Sequence, residues 1–388
     1  MNNKNKKTIG IDARFYGPIG KGLGRYTQEI VDNILKLDPN NNYVIFLRRD
    51  NFDELIIDKY QNVKKVLVEV RWYTLREQLL MPFYIWRERL DLIHFCHFNV
   101  PFFVPTKFVV TIHDLILTKF KTTRATTLSP FIYYLKDLFY RIIIKRALNG
   151  SRKIITVSNF TKNDIIEQFK IKPEKIEVIY EGVANLARGT DSLFVAKLDN
   201  SEVLKDYSIE KPFLLYVGNA YPHKNLDFLI KNFFEIYNKN NELRLVLVGK
   251  EDYFYKGLKD FAEELFSSQK INPVIFAGYV PDDKLEIFYK KALVYVFPSL
   301  YEGFGLPPLE AMAKGCPVLS SGAGSMPEIL GDSAIFFNPQ SKEDFFDKLN
   351  LVLSDSSLRQ EMIERGREQC KKYNWWDCAF ATWKIYLQ

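Results

Sequence analysis

Short apolar runs rich in valine, isoleucine and aromatic side chains recur along the chain at residues 8–12, 43–47, 65–68, 92–95, 108–112 and 175–180. They return at 213–217, 243–248, 274–276, 293–297 and 317–320. Most are continuously apolar rather than alternating, the pattern of strands covered on both faces and so of a parallel sheet between helical layers. The intervening segments carry helical spacing, such as Ile30, Val31, Ile34 and Leu35 after the first run, or Leu285, Ile287, Phe288 and Ala292 before the run at 293. Strand and helix in alternation predict repeated βα units and an α/β fold. A polar stretch from 184 to 209 interrupts the alternation, which restarts at Phe213. The expectation is two doubly wound, Rossmann-like domains, residues 1–184 and 185–372, because single cores stop growing near about 250–300 residues.

Composition narrows the class. With 47% hydrophobic and 26% charged residues the chain is globular rather than disordered, and its formal charge of +7 is too modest to imply nucleic-acid binding. Four cysteines, Cys96, Cys316, Cys370 and Cys378, show neither metal-ligand pairing nor a disulfide framework, as expected in a reducing compartment. The opening Met-Asn-Asn-Lys-Asn-Lys-Lys has no apolar signal core, and no run approaches the roughly 20 apolar residues of a membrane span. The expected location is the cytoplasm.

Candidate chemistry lies at the strand ends. The run at 293–297 is stopped by Pro298, and Pro307 and Pro308 fit the first turn of a helix that Gly315 ends. In the turn between, Gly303 and Gly305 admit close approach of a ligand, and the amides of Phe304, Gly305 and Leu306 lie at the positive end of the helix dipole, a setting for a phosphate. Glu302 and Glu310 bracket this turn and are expected to face one small site; the plainer alternative is a solvated loop acid and a first-turn acid paired with the dipole. Residues 13–26, with Gly20, Gly22 and Gly24, form a second glycine-rich loop before a helix, without the spacing of the dinucleotide fingerprint. The strand at 108–112 ends in His113-Asp114, placing an imidazole where open α/β sheets bind ligands. His94 and His97 are read as structural. The strand at 213–217 leads through Gly218 and Asn219 to Lys224, an ammonium that can pair with a diphosphate. Ser158 or Thr161 should cap the helix after the strand near 153–157. Asp282-Asp283 suggests a metal site at first sight, but Asp282 sits where a helix N-cap belongs. Finally, basic and aromatic residues interleave between Lys119 and Lys153, a pattern that suits either an anionic membrane surface or a solvated face over a core stripe.

Glu-Gly-Phe-Gly-Leu-Pro-Pro-Leu-Glu at 302–310 closely resembles the signature of retaining family 4 glycosyltransferases of the GT-B fold. The resemblance extends to the loop at 13–26, to Val-Val-Thr-Ile-His-Asp-Leu, to Ser158–Asp164, to Lys224-Asn225 and to the tail. It implies two domains facing across a cleft, with the helix at 373–388 crossing back onto the first, and sugar transfer from a nucleotide sugar with retention of configuration. It implies that Lys224, the amides after Gly303 and the amide near Gly22 hold the diphosphate, that Glu302 contacts hydroxyls of the transferred sugar, and that His113 lies beside the sugar's reacting face. Glu310 would take the ribose and the backbone near Tyr279 the base. Many members have arginine where this chain has Asn219, which leaves Lys224 largely alone. Ile11-Asp12-Ala13-Arg14 and Val-Ile-Tyr-Glu-Gly-Val look like bacterial mannosyltransferases of surface polysaccharide assembly. GDP-mannose is therefore the first expected donor and a UDP-hexose the second, with a glycan or lipid-linked saccharide as acceptor and no metal or other cofactor. A nucleotide-sugar 2-epimerase of the same fold and a noncatalytic membrane-associated subunit are the alternatives.

Overall fold

The computed structural model describes residues 6–120, 130–183 and 200–388, so 121–129 of the basic and aromatic stretch between Lys119 and Lys153 lie outside the described residues. The chain divides into two compact units: Met1–Gly182 with Tyr373–Gln388, and Val183–Lys372.

Unit 1 holds a seven-stranded sheet in the order β3-β2-β1-β4-β5-β6-β7, with every pairing parallel. Its strands are β1 (Thr8–Asp12), β2 (Asn42–Leu47), β3 (Val63–Leu67), β4 (Leu92–Phe95), β5 (Lys107–Ile112), β6 (Lys153–Thr156) and β7 (Ile176–Val178), the last shorter than the run at 175–180 suggests. Helices α1 (Lys21–Leu37), α2 (Leu75–Arg87), α3 (Ile116–Lys119), α4 (Pro130–Gly150) and α5 (Asn159–Phe169) connect them. Ser158, not Thr161, caps α5, its hydroxyl accepting from the Thr161 amide at 3.1 Å. The central strands are buried along their length, as continuous apolar runs require: Ile9, Ile11, Ile93, Val109, Val110 and Ile154 are fully covered.

Unit 2 repeats the scheme with six parallel strands in the order β10-β9-β8-β11-β12-β13. They are β8 (Phe213–Val217), β9 (Arg244–Val248), β10 (Val274–Gly278), β11 (Val294–Phe297), β12 (Val318–Ser321) and β13 (Ile335–Phe337). The helices are α6 (Asn200–Asp206), α7 (Leu226–Lys239), α8 (Tyr253–Leu265), α9 (Asp282–Lys291), α10 (Leu306–Ala313), α11 (Met326–Leu330), α12 (Lys342–Ser354) and α13 (Ser356–Cys370). Thus the polar stretch expected to link the domains contains α6, while 184–199 lie outside the described residues. Asp282 is the first residue of α9 rather than its cap, which is Pro281, so its charge meets the helix dipole instead of accepting a capping bond.

The final helix α14 (Trp375–Leu387) packs along α1 in unit 1. Trp383 Nε1 donates to Asp38 at 2.8 Å, and Lys7 Nζ donates to the carbonyls of Tyr386 and Leu387 at 3.1 and 3.0 Å. In both sheets the winding reverses beside the first strand, between β1 and β4 and between β8 and β11. Ligands of open α/β sheets bind outside the carboxyl ends of strands at such switch points.

Candidate active site

In unit 2 the loops after β8 and β11 meet at the switch point. After β8 a single turn at Pro222–Lys224 forms and ends at Asn225, which holds a left-handed φ of 59°. The Asn225 side chain donates to the carbonyls of Pro298 (3.2 Å) and Pro339 (3.1 Å), and the Leu300 amide donates to the His223 carbonyl at 2.7 Å. These bonds sew the two loops together and fix where Lys224 can reach. Its ammonium lies 2.6 Å from Glu302 Oε1, and both residues are buried. Burial and then the Lys224 charge lower the neighbouring His223 to about 4, so that ring is neutral.

Glu302 is positioned from behind. Ser325 donates from its hydroxyl and its amide to the Glu302 carbonyl, at 3.1 and 3.2 Å, and from the hydroxyl to the Phe304 carbonyl at 3.2 Å. Gly324, at φ 65°, lies so close that a Cβ would stand 2.8 Å from the Glu302 nitrogen. Gly305 caps α10 at φ 98°, where a Cβ would meet Met326 Cε at 2.3 Å. The helix stops in a paired bond, Gly315 amide to Met312 carbonyl (3.0 Å) and Cys316 amide to Ala311 carbonyl (2.9 Å), as the glycine at 315 anticipates. Glu302 lies in the turn after β11, and Glu310 lies within α10. The Tyr295 hydroxyl is pushed well above its ordinary value, by burial first and further by Tyr289 and by the carboxylates of Glu310 and Glu302. Asn219 Oδ1 accepts from the Tyr221 amide at 3.3 Å and its carbonyl accepts from the Tyr216 hydroxyl at 2.7 Å, so this residue shapes its own loop. Tyr279 follows β10 with its side chain largely exposed.

In unit 1 the ring of His113, just beyond β5, donates from Nδ1 to Glu181 Oε1 at 2.9 Å and from Nε2 to the Cys96 carbonyl at 3.0 Å. A carbonyl can only accept, and a carboxylate likewise, so the ring needs a proton on each nitrogen. Burial alone would lower its pKa; the Glu181 hydrogen bond and charge, with the Cys96 carbonyl, outweigh burial and raise it. Tyr26 sets its ring against His113, centroids 4.6 Å apart at 87°. Its hydroxyl bonds Thr111 (2.9 Å), which bonds His94 Nε2 (2.8 Å), whose Nδ1 meets the Tyr386 hydroxyl of α14 at 2.6 Å. His94 and His97 are both lowered to about 3, by burial and then by the charge of His113. Gly22 does not lie on a long loop: α1 already begins at Lys21, which puts the Gly22 amide among the first four of the helix, those without an intrahelical partner. Gly24 is needed for packing, since a Cβ there would lie 2.1 Å from the Gly17 carbonyl.

Glu181, Ser325 and Gly324 were not singled out by sequence reasoning as site residues. Glu181 lies within Val-Ile-Tyr-Glu-Gly-Val, and Gly324 and Ser325 within a Gly-Ala-Gly-Ser loop that leads to a helix start at Pro327-Glu328. Among the described residues no three of His, Cys, Asp and Glu gather closely enough to hold a metal ion.

Comparison with known proteins agrees with this architecture. Residues 21–184 match the family described as Glycosyltransferase Family 4, and residues 201–369 the family described as Glycosyl transferases group 1. The O-antigen chain mannosyltransferase B of Escherichia coli is 26% identical over 389 residues, covering 94% of this chain and 95% of the relative. The O-antigen chain mannosyltransferase RfbU of Salmonella typhimurium is 30% identical over 243 residues, 62% of this chain and 63% of the relative. HepE of Anabaena, solved in complex with UDP-glucose, superimposes with a TM-score of 0.71 at 16% identity, covering 98% of this chain and 99% of that one. With two parallel Rossmann-like sheets and with both family matches, the chain is a glycosyltransferase of the GT-B fold, related to bacterial mannosyltransferases.

Proposed function

We propose that the protein transfers mannose from GDP-mannose to a glycan or a lipid-linked saccharide, with retention of anomeric configuration. The observation that carries the reading is the Lys224–Glu302 pair at the carboxyl edge of β8 and β11, in a chain whose relatives include O-antigen mannosyltransferases.

As the glycosidic bond breaks, the departing nucleoside diphosphate takes up negative charge. An ammonium has three donors, and one of those on Lys224 goes to Glu302, which leaves two for phosphate oxygens. A donor so placed contributes on the order of 3 kcal/mol to the transition state. The amides of Phe304, Gly305 and Leu306 at the start of α10 add to it. Glu302 binds hydroxyls of the transferred sugar, Glu310 the ribose, and the backbone near Tyr279 the base. In unit 1, which takes the acceptor, His113 and the Gly22 amide are the proposed contributors. Because amides and an ammonium neutralise the diphosphate, no divalent ion is required.

The test is turnover of a panel of nucleotide sugars by the purified protein, with and without EDTA. GDP-mannose should be turned over fastest, and equally in the chelator. Loss of activity in EDTA restored by magnesium or manganese would overturn metal independence. Preference for a UDP-hexose, the second reading, has the fold neighbour bound to UDP-glucose in its favour. No turnover of any donor would favour a noncatalytic subunit, for which Asn219 in the arginine position is the supporting feature.

A further inference from the structure

Three buried tyrosines, each from a different element of unit 2, donate to three successive carbonyls at the end of β8. Tyr295 on β11 gives its hydroxyl to the Val217 carbonyl at 3.1 Å. Tyr255 on α8 gives its own to the Gly218 carbonyl at 2.8 Å, and the Val248 carbonyl lies 3.1 Å from the same oxygen. Tyr216 on β8 reaches the Asn219 carbonyl at 2.7 Å. All three residues are buried, and burial above all raises each phenol beyond its ordinary value, so each keeps the proton that it donates.

The arrangement depends on two glycines. A Cβ on Gly218 would stand 2.7 Å from the Tyr216 hydroxyl oxygen, and one on Gly249 would stand 2.1 Å from the Gly218 carbonyl oxygen and 2.4 Å from the Tyr255 hydroxyl oxygen. Tyr255 is fixed in turn by the cap of α8, where Asp252 accepts from the amides of Phe254 and Tyr255 at 3.0 and 3.1 Å. Four segments of unit 2 are thus shaped to hold one short loop.

What the phenols do follows from the peptide plane. The described peptide bonds are trans, so the N–H of each residue points away from the carbonyl before it. With the carbonyls of Gly218 and Asn219 drawn onto buried hydroxyls, the amides of Asn219 and Ala220 face the opposite way, toward the open carboxyl edge of the sheet. Neither amide donates to another group among the described residues, whereas the Gly218 amide is spent on the Val248 carbonyl at 3.0 Å. Accepting from a phenol also polarises a peptide unit and makes its own N–H the stronger donor. Two such amides in succession suit an anion, and the turn that carries Lys224 follows them directly.

We propose that Tyr216, Tyr255 and Tyr295 are positioning residues for the donor: they turn the carbonyls after β8 away from the diphosphate and aim the amides of Asn219 and Ala220 at it, beside the Lys224 ammonium. The inference rests on the proposed binding of the diphosphate at this loop. It gives Lys224 two uncharged partners, and it gives Asn219 a role through its backbone rather than its side chain. Without its phenol a carbonyl would have to turn outward to find water, and the diphosphate would then meet an oxygen in place of a hydrogen.

Binding of GDP and of guanosine to the full-length protein is measured by calorimetry, with UDP and uridine in parallel. Tyr255→Phe and Tyr216→Phe should each weaken the nucleoside diphosphate about fivefold, as loss of one hydrogen bond does, and leave the nucleoside unchanged. Tyr295→Phe frees a carbonyl whose peptide is still held by β9, and should cost about twofold. Tyr43→Phe, which deletes a buried phenol's 2.8 Å bond to Asp38 in unit 1, should be less stable in urea with neither affinity changed. One readout needs no variant to fold: in the parent, the amide protons of Asn219 and Ala220 should shift downfield in the NMR spectrum when the diphosphate binds. Undiminished diphosphate binding by Tyr255→Phe and Tyr216→Phe, a proportionate loss of nucleoside binding, or amides at 219 and 220 that ignore a bound diphosphate would each overturn the proposal. So would a parent that binds neither nucleoside diphosphate. A parent that binds one, with the expected losses in the variants, but transfers no sugar would sink the proposed function and leave the positioning intact.

Discussion

Each unit sets a cation against a carboxylate at the carboxyl edge of its sheet, Lys224 with Glu302 in unit 2 and His113 with Glu181 in unit 1. The two pairs differ in what remains to be given away. Lys224 spends one of three donors on Glu302 and can turn the others to an arriving phosphate without leaving its partner. His113 spends both, one on Glu181 and one on the Cys96 carbonyl, so it cannot bond a ligand through a ring nitrogen unless one of those bonds breaks. The lysine pair is thus arranged to hand a charge over, and the histidine pair to hold one still. It follows that His113, while both bonds hold, has no ring lone pair with which to accept a proton.

The largest effect should come from breaking the lysine pair. Lys224→Ala and Glu302→Ala are each expected to lower turnover about a hundredfold or more, as loss of one charge-stabilising donor does. Each also leaves one buried ion without its partner, so the variants should be less stable by a few kcal/mol while remaining folded, a cost that urea unfolding measures. Near-native turnover by either folded variant would end the site assignment.

A smaller and more diagnostic effect is expected from Glu181→Gln. The amide can donate to Nδ1, so the ring can become neutral while Nε2 still bonds the Cys96 carbonyl; position is kept and charge is lost. Turnover should fall about tenfold with little change in donor KM, since one charge-assisted hydrogen bond is worth roughly 1.5–3 kcal/mol. Stability supplies a second readout. The folded pKa of His113 is raised, so the pair's contribution is present in full below the unfolded value of about 6.5 and is lost as pH rises through the folded value. In the variant that slope should vanish, and nitrogen NMR of the His113 ring should report the change from imidazolium to imidazole. A ring that titrates alike in both proteins would erase the distinction drawn between the two pairs.

How these features show in sequence follows the reach of the interactions. The strands were legible because a strand buried on both faces must be apolar throughout, and Ile93, Val110 and Tyr295 obey that rule. The turn around Glu302 was legible because glycine and proline report backbone conformation locally: Gly305 and Gly315 both hold positive φ. Pairings over long separations leave no such trace. Glu181 meets His113 across 68 residues, and Tyr386 meets His94 across 292. The orientation of α2 was illegible for another reason. Its sequence, Leu-Arg-Glu-Gln-Leu-Leu-Met-Pro-Phe-Tyr-Ile-Trp-Arg, is apolar on both sides, so periodicity cannot say which side the core takes; the buried Arg14–Glu77 pair decides it.

The smallest expected effect sharpens the account of the lysine. If Lys224 meets the diphosphate with no other cation beside it, a second on the same loop should improve donor binding, and Asn219→Arg supplies one. The Asn219 carbonyl that holds the Tyr216 hydroxyl is backbone and survives the change, while the lost Oδ1 contact to the Tyr221 amide is long, at 3.3 Å, and partly replaced by water. Two unit charges about 4 Å apart attract by roughly 4 kcal/mol at an effective dielectric of about 20. Ordering the arginine side chain takes back up to about 2 kcal/mol, and solvent screening takes more. Something near 1 kcal/mol remains, which corresponds to about a fivefold lower donor KM. Turnover should change by less than about twofold, because an arginine that binds substrate and transition state alike leaves the chemical step untouched. A KM that does not move would mean that the diphosphate does not run along the loop after β8. In that case the 2.6 Å contact between Lys224 and Glu302 would be read as a structural ion pair.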